Sequence, residues 1–497
     1  MFLYYALVII AFLILYYLLL KDARYGKEPP GPKPLPIIGN LLDLVNSSGN
    51  MTLALGNLAE KYGEIYSLKL GSKKSVVLTS KEAMQIILSN EATFARDFSG
   101  MWVDRSFHKN LGIAFSEGEV WETLRPWTFK TLKDFGFGKS SEMERFIKVA
   151  SERLFASIDY KIGPEKTSCN LDVELLYNSA ILSIMWQMIV GRLSPEDEPS
   201  IKIISEKGDA FNRTSIFGAG IVNAFPFLRY IFPDALGYNV QMDFFKECNT
   251  IAKNLFTEME AKMRKFQLTM PTNLLEAFVL NSIKDPKIFN CDNFLLTFQD
   301  MLLTSSDTSN TFMEIVILYL ITYPDVQEKV YEEILKVSPD GRDLSYSDRI
   351  KMPYIQAFFL EAHRKGQPLQ NLVPRRALSN IAYKDYIIKK DTIIMSDTRL
   401  YYENKEDWID PEAFRPERFL DEAGQVVNAG KIISFSFGKR NCPGELQANI
   451  VAFLGITSLL QRYKLSVPKG QQMPRLDMRP GLTLKPYPFQ ATFAKRQ

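Results

Sequence analysis

The sequence predicts a mainly α-helical protein with minor β structure, an α+β chain with one large domain behind an N-terminal membrane anchor. Three observations carry this. The chain has 497 residues, 46% of them hydrophobic. No linker-like stretch divides residues 40 to 490, so a length-based expectation of about three domains gives way to one. Long segments that are apolar on one face dominate, as over 142 to 190 and 292 to 322, while runs of alternating or β-branched residues are short. Finally, Met1 to Leu20 contains no charged side chain.

The net charge of +3 gives no reason to expect a nucleic-acid partner. Cys169, Cys248, Cys291 and Cys442 are far apart, which is not a disulfide framework and suits a reducing compartment. His108 and His363 are the only histidines. That all but excludes a multi-histidine metal site and disfavours a Ser-His-Asp triad.

In chain order, the uncharged run over 1–20 can span the roughly 30 Å of a bilayer core. No basic region precedes it and no small-residue cleavage site closes it, which disfavours a cleaved signal peptide. Lys21, Arg24 and Lys27 follow, so the rest of the chain is expected in the cytosol and the sequons at Asn46, Asn50 and Asn212 go unused. Residues 21–40 are basic and then proline-rich, Pro29-Pro-Gly-Pro-Lys-Pro-Leu-Pro-Ile-Ile-Gly-Asn40, which predicts a stiff spacer ahead of a domain over 41–497. A short helix is expected over 52–62, then a hairpin of Ile65–Leu70 and Ser75–Leu78 around Gly71-Ser72. Residues 142–190 read as two helices. The crowded segment Ile216–Phe232 reads equally as buried core or as a lid that dips into a membrane. Short strands follow over 376–395, and Pro480–Pro486 reads as a hairpin tip.

Near the C-terminal end stands Phe435-Ser-Phe-Gly-Lys-Arg-Asn-Cys-Pro-Gly-Glu445, with Phe435, Gly438, Arg440, Cys442 and Gly444 in the frame F-x-x-G-x-R-x-C-x-G. A thiolate that ligates an iron needs backbone N–H groups aimed at the sulfur, which glycine-permitted turns supply. It needs a cation to balance the cofactor's acidic groups, a role open to Arg440. It also needs a helix start just behind it, whose positive end favours thiolate over thiol. Glu445-Leu-Gln-Ala-Asn-Ile-Val-Ala-Phe-Leu reads as that helix. A cysteine alone would be read as a small buried hydrophobe; the ten-residue frame outweighs that reading.

This stretch resembles the haem-binding signature of the cytochrome P450 family, and the resemblance extends over essentially the whole chain. It is similar to the animal microsomal, family 2-like members in the wording Gly112-Ile-Ala-Phe-Ser-Glu-Gly118 and Cys442-Pro-Gly-Glu445. It implies the cytochrome P450 fold, haem b (iron protoporphyrin IX) with Cys442 as axial ligand to the iron, and Phe435 and Gly438 in the haem pocket. Trp121-Glu-Thr-Leu-Arg125 matches W-x-x-x-R, whose spacing puts both donors on one helix face toward a haem propionate. Pro126 departs from the family pattern and bears on the direction of Arg125. Arg375, with Arg376 as the alternative, stands where a further propionate partner is usual.

Thr304-Ser-Ser-Asp-Thr-Ser309 resembles the acid–alcohol stretch of the central helix, with Asp307 and Thr308 on the matching positions. Cleaving the O–O bond of O2 needs two protons. A hydroxyl can hold the water chain and a carboxylate behind it can connect that chain to solvent. The bland reading is that these hydroxyls bond back to their own helix. Thr304 and Ser305 replace a small residue and a glycine; they either fill the oxygen groove or add to the proton path. Glu361-Ala-His-Arg364 carries E-x-x-R, and Phe414-Arg-Pro-Glu-Arg418-Phe resembles the stretch whose arginine joins that pair in a buried network behind the cysteine loop. One acid against two bases then needs backbone carbonyls for the remaining donors. His363 reads as a bystander.

The function implied is insertion of one oxygen atom of O2 into a lipophilic molecule (steroid, fatty acid or xenobiotic). Electrons come from NADPH-cytochrome P450 reductase, with cytochrome b5 as a second donor, at the cytosolic face of the endoplasmic reticulum membrane. Lys130, Lys133 and Lys439 are candidates for a basic docking face. Phe115, Thr304, Leu482 and Thr483 are candidate substrate contacts, with Trp102, Phe107 and Ile113 as further wall residues. The rival readings are an oxygen-independent isomerase or dehydratase on the same fold and a haem-binding sensor or carrier.

Overall fold

The computed structural model describes residues 27–45, 51–138, 140–214, 222–267, 269–479, 481 and 483–496. The expected anchor over 1–20, residues 216–221 of the aromatic segment and Leu482 lie outside the described residues. Among the described residues no helix is long and apolar enough to cross a membrane.

The helices used below are α1 (Met51–Tyr62), α2 (Lys81–Ser89), α3 (Met101–Asp104), α4 (Gly118–Asp134), α5 (Ser140–Ile162), α6 (Asn178–Val190), α7 (Glu198–Thr214), α8 (Tyr238–Phe266), α9 (Leu274–Lys284), α10 (Cys291–Thr322), α11 (Pro324–Val337), α12 (Pro353–Gly366) and α13 (Glu445–Arg462). The strands are β1 (Ile65–Leu70), β2 (Lys73–Leu78), β3 (Ala95–Arg96), β4 (Arg375–Arg376) and β5 (Ile393–Ser396), in one sheet of order β1-β2-β5-β4-β3. The fold is mostly helical with a minor sheet component, as expected.

The domain is built around α10. Asn290 caps it, its side chain accepting from Asn293 N–H at 3.0 Å, which satisfies one of the free donors of the first turn. Helices α6, α8, α12 and α13 pack along it. Its apolar residues are buried on every side, which is why its sequence reads as a nearly continuous hydrophobic run rather than a stripe. Burying a Phe or Leu of this kind stabilises by about 1.5–3 kcal/mol each, so the helix that crosses the core also anchors it.

Three expectations need correction. The proline segment is not a free spacer. Ser67 N–H donates to Pro30 O at 2.7 Å and Asn40 N–H to Lys69 O at 2.6 Å, so this stretch is docked along β1 and covers an otherwise open sheet edge. Within 142–190 the two helices are interrupted by a strand, Ser168–Asp172, that pairs antiparallel with Gln490–Lys495. Its partner lies at the far end of the sequence, so no local pattern announces it. The second hairpin strand begins at Lys73 rather than Ser75, because a two-residue Gly71-Ser72 turn puts Lys73 opposite Leu70.

Candidate functional site

The cysteine loop is held open by backbone geometry. Cys442 N–H donates to Phe435 O at 2.8 Å, closing the loop. Gly438 sits at φ +70°, and a Cβ there would lie 2.6 Å from Leu88 O and 2.9 Å from Ser89 Cα, at the end of α2. Only glycine allows both the turn and this close approach. Cys442 is exposed although protein surrounds it on most sides. Burial pushes its thiol up, the Glu445 carboxylate adds to that, and the N–H groups of Gly444 and Glu445 with the Arg125 guanidinium pull it down. The sulfur therefore sits at the start of α13, where the free amides of the first turn favour negative charge.

Arg96, Arg125, Arg375 and Arg440 converge around this loop. Arg125 Nη2 donates to Asn441 O at 2.5 Å; α4 runs unbroken through Pro126, and Arg125 points at the loop. Arg440 is buried, donates from Nε to Phe94 O at 2.7 Å and from Nη2 to Ser116 O, and lies 4.0 Å from the centre of the Trp121 ring. Arg375 donates to Leu88 O and, from Nη2, to Phe437 O at 2.6 Å and Ser436 Oγ at 3.0 Å. Arg96 stands directly opposite Arg375 across the β3–β4 pair and donates to Val373 O at 2.5 Å.

None of the four makes an ion pair among the described residues. Burial lowers the proton affinity of Arg440 to about 9 and of Arg375 to about 10, with neighbouring guanidinium charges adding to the effect. Arg96 is pushed down by burial and then by Arg375, Arg440 and Arg125. Like charges directly opposite in a sheet are destabilising, so this arrangement calls for an anion. By contrast Arg376, the alternative to Arg375, is already paired with Glu117 at 2.5 Å and Asp391 at 2.7 Å. Trp121 Nε1 and Arg96 Nε are buried without a partner.

Along α10 from Asn293 to Ile321, every residue is buried except Thr304, Ser305, Ser306, Thr308 and Ser309. A recess therefore opens at the polar interruption. Thr304 Oγ1 donates to Asp300 O at 2.6 Å, Ser306 Oγ to Leu302 O at 2.8 Å and Thr308 Oγ1 to Thr304 O at 2.7 Å. These hydroxyls thus make the local back-bonds that mid-helix Ser and Thr commonly make. Asp307 turns elsewhere: it is buried, pairs with Lys485 Nζ at 2.7 Å and accepts from Thr483 Oγ1 at 2.7 Å. Thr483 is itself buried and also bonds Thr311 at 3.2 Å. Thr483, a candidate substrate contact by sequence, thus stands in the carboxylate's network. One further acid shares this side of α10. Burial raises Glu314 to about 7, against the pull of Leu175 N–H, Lys485 and Asn310.

Behind the loop the structure brings Glu361, Arg364 and Arg418 together. Arg364 grips Glu361 with Nε and Nη2, both at 2.8 Å, and Arg418 Nε reaches the same carboxylate at 3.0 Å. The carbonyls of Tyr402, Pro411 and Ala413 take other donors of Arg364, and those of Ile409, Asp410 and Ala413 take those of Arg418. Phe435 lies beside this region, its ring edge-on to His363 at 5.4 Å, while His363 stacks on Phe312 at 4.0 Å. Phe115 keeps accessible surface and stacks on Trp102 at 3.9 Å.

Sequence reasoning missed Arg96, Lys485 and the buried Arg105–Asp300 pair at 2.6 Å. Arg96 sits on a two-residue strand with no periodicity to read. The other two meet partners more than 170 residues away.

The cytochrome P450 family profile matches residues 29–493. The chain is similar to a farnesoate epoxidase of Bombyx mori, 29% identical with 99% of each chain covered. It is similar to cytochrome P450 2A3 of Rattus norvegicus, 27% identical over 90% of this chain and 89% of the relative. Cytochrome P450 2E1 of Bos taurus is 28% identical over 88% and 87%. This is a haem-enzyme fold whose members are oxidoreductases that incorporate oxygen. The chain belongs to the cytochrome P450 family. Family membership implies a haem, and the recess fits one. It offers an accessible sulfur backed by amides, four guanidiniums without a carboxylate, and an indole N–H without an acceptor.

Proposed function

We propose that the protein is a haem b-thiolate monooxygenase that inserts one oxygen atom of O2 into a lipophilic small molecule, with electrons from NADPH delivered by a membrane-bound reductase. The observation that carries this is the cluster of four arginines that make no ion pair among the described residues, gathered around an accessible cysteine. Cys442 would ligate the haem iron, with the amides of Gly444 and Glu445 favouring its thiolate against the burial that pushes the thiol up. Arg96, Trp121, Arg125, Arg375 and Arg440 would hold the acidic side chains of the cofactor. Bound there, haem supplies oxygen activation, and a thiolate ligand pushes electron density that favours O–O cleavage.

The chain's own residues then move protons. Thr308 can release Thr304 O and turn its hydroxyl to a water in the recess, a change of rotamer within one helical turn. Asp307, fixed by Lys485 and Thr483, is the nearest buried carboxylate to that stretch and links it toward the polar side of α7, where Asp209 lies. Phe115 and Trp102 give the recess an apolar wall. The name of the Bombyx mori relative, an epoxidase of farnesoate, supports oxygen insertion into a lipophilic chain.

Attachment to the endoplasmic reticulum membrane by residues 1–20, with the domain in the cytosol, is supported by an exposed apolar patch. Ile37 is 80% and Tyr230 72% exposed, and Leu35, Phe227, Ile231 and Phe232 are exposed as well. Gly71 N–H donates to Ile38 O and Gly71 lies beside Ala224, which brings the two segments to one side. Bulk apolar exposure of this kind marks a contact surface. Lys130 and Lys133 are exposed on α4, the helix whose Arg125 bonds the cysteine loop, which supports a docking face for an acidic reductase.

The test is the carbon monoxide difference spectrum of the reduced holoprotein, followed by NADPH consumption with and without reductase. A thiolate-shifted Soret band in the wild type, lost in Cys442→Ala, is expected. An unshifted band, or turnover that ignores the reductase, would move the protein to the carrier or isomerase reading.

A further inference from the structure

A surface cleft of about 130 Å³ shares no residue with the site described above. It opens where the end of α6 and the turn before α9 meet the last turns of α8. α6 stops at Gly191, in a left-handed turn at φ +79°, and a Cβ there would lie 2.5 Å from Asn273 Nδ2. The chain turns away from α8 at that point, and the gap is floored by Val190, Leu255, Met259 and Leu275, all buried. A cavity of about 150 Å³ holds one benzene ring, so this cleft has room for one Phe or Met side chain.

Two apolar side chains stand at its edge. Phe266 is 59% and Met270 85% exposed, and they fall between Lys262 and Thr272, both of which line the cleft. Single exposed hydrophobic residues need no explanation; a knob beside a hole of matching size does. The rim is charged, and part of that charge is unpaired. Glu276 accepts from Thr272 N–H at 2.8 Å and from Thr272 Oγ1 at 2.9 Å. Glu260 pairs with Arg264 at 2.7 Å. Arg192 reaches Asp197 at 3.4 Å and Glu258 only at 3.7 Å, too long for a hydrogen bond. Lys262 makes no ion pair among the described residues.

We infer that this face docks a second copy of the chain, in a two-fold contact where the two α8 helices lie antiparallel and Phe266 and Met270 of each copy enter the other's cleft. The charges carry the register. Asn254, Glu258, Lys262 and Phe266 recur at intervals of four along one exposed ridge of α8. With the two-fold axis level with Glu260, Lys262 of each copy meets Glu258 of the other. Phe266 then meets Asn254, next to Leu255 on the cleft floor. A two-fold contact requires such self-complementarity. Parallel helices would instead set Lys262 against Lys262 and leave Phe266 about 16 Å from Leu255 along the axis. The contact is of the small class, below about 1,200 Å², so it forms where copies are held together. It goes beyond the proposed function and does not rest on it.

The experiment places the full-length holoprotein in lipid nanodiscs that hold one or two copies, the two-copy discs mixing ordinary and 15N-labelled chains. Zero-length carbodiimide cross-linking is expected to join Glu258 of a light copy to Lys262 of a heavy one, and the reverse. Bonds within one copy, where the two residues are one turn apart, join only like isotopes. Met270 is expected to be oxidised by chloramine-T about threefold more slowly in two-copy than in one-copy discs. Lys262→Glu loses that protection. Glu258→Lys combined with Lys262→Glu restores it, together with mixed-isotope cross-links through the reversed pair. Like-isotope bonds alone overturn the inference, as does protection that survives in Lys262→Glu. Met270 protected equally in one-copy discs means that lipid covers this face, and Met270 equally reactive in both means that it stays open to water; either result also overturns it.

Discussion

Two groups of buried and half-buried arginines, one against the cysteine loop and one around α12, differ in one respect. Arg364 and Arg418 share Glu361, and carbonyls take their other donors. Arg96, Arg125, Arg375 and Arg440 form no ion pair among the described residues; burial lowers the proton affinity of each, and neighbouring guanidiniums add to this at Arg96, Arg375 and Arg440. The first group is complete as it stands and ties α12 to the 402–413 segment. The second is complete only with an anion among its members. Buried charge thus separates scaffold from site by whether it is balanced: the first group bonds Glu361 and carbonyls of residues 402–413, while the second lies against the cysteine loop without an ion pair among the described residues.

The largest effect should come from breaking the complete group. Glu361→Gln keeps the shape but leaves two guanidiniums, with side chains 1% and 5% exposed, without their acid. Removing one partner of a buried network costs about 3–5 kcal/mol, read as a fall in denaturant midpoint and in yield of folded protein. A change below about 1 kcal/mol would mean that the carbonyls alone hold the arginines.

The opposite sign is expected in the other group. Arg96→Gln removes a like charge that faces Arg375 across the strand pair. The haem-free protein should become more stable by up to about 1 kcal/mol, while the loaded protein loses haem to an acceptor protein about tenfold faster. The comparison fails if Arg96→Gln destabilises the haem-free protein as Glu361→Gln does, because the cluster would then be scaffold as well.

How much of this could be read from the sequence follows from distance along the chain. The cysteine frame, the Trp121–Arg125 spacing and the E-x-x-R pair are local, and each lands where its spacing puts it. The α10 hydroxyls were legible as residues but not as bonds: sequence offered the back-bonded and proton-path readings together, and only the resting geometry shows Thr308 on Thr304 O. Arg375 and Arg376 are neighbours in sequence and alternate across a strand, so composition cannot tell which one lacks an acid. Arg96, Arg105 and Lys485 are ordinary surface-type residues by composition. Their burial is a product of tertiary pairing with Arg375, Asp300 and Asp307. The proline segment misled for a related reason, since stiffness is local and docking on β1 is not.

His363 sharpens the comparison with the smallest effect. It lies two residues from Glu361 on α12, stacked on Phe312 and edge-on to Phe435, with Nδ1 unpaired. It has neither the acid of the first group nor a place beside the second, and burial alone depresses it from 6.5 to about 3. A side chain so placed stays neutral in the folded protein. In the unfolded chain it takes up a proton below about pH 6.5. The unfolded state therefore binds more protons between pH 6.5 and about 3, and His363's contribution to stability, full above pH 6.5, is lost as pH falls through that window. Relative to His363→Phe, the wild type should lose about 1.4 kcal/mol between pH 7.5 and 5.5. Parallel stability profiles for the two proteins would mean that the imidazole is charged and partnered after all. Of the buried groups beside the loop that can carry positive charge, this is the one that meets the lack of a partner by giving up its proton, an option arginine does not have.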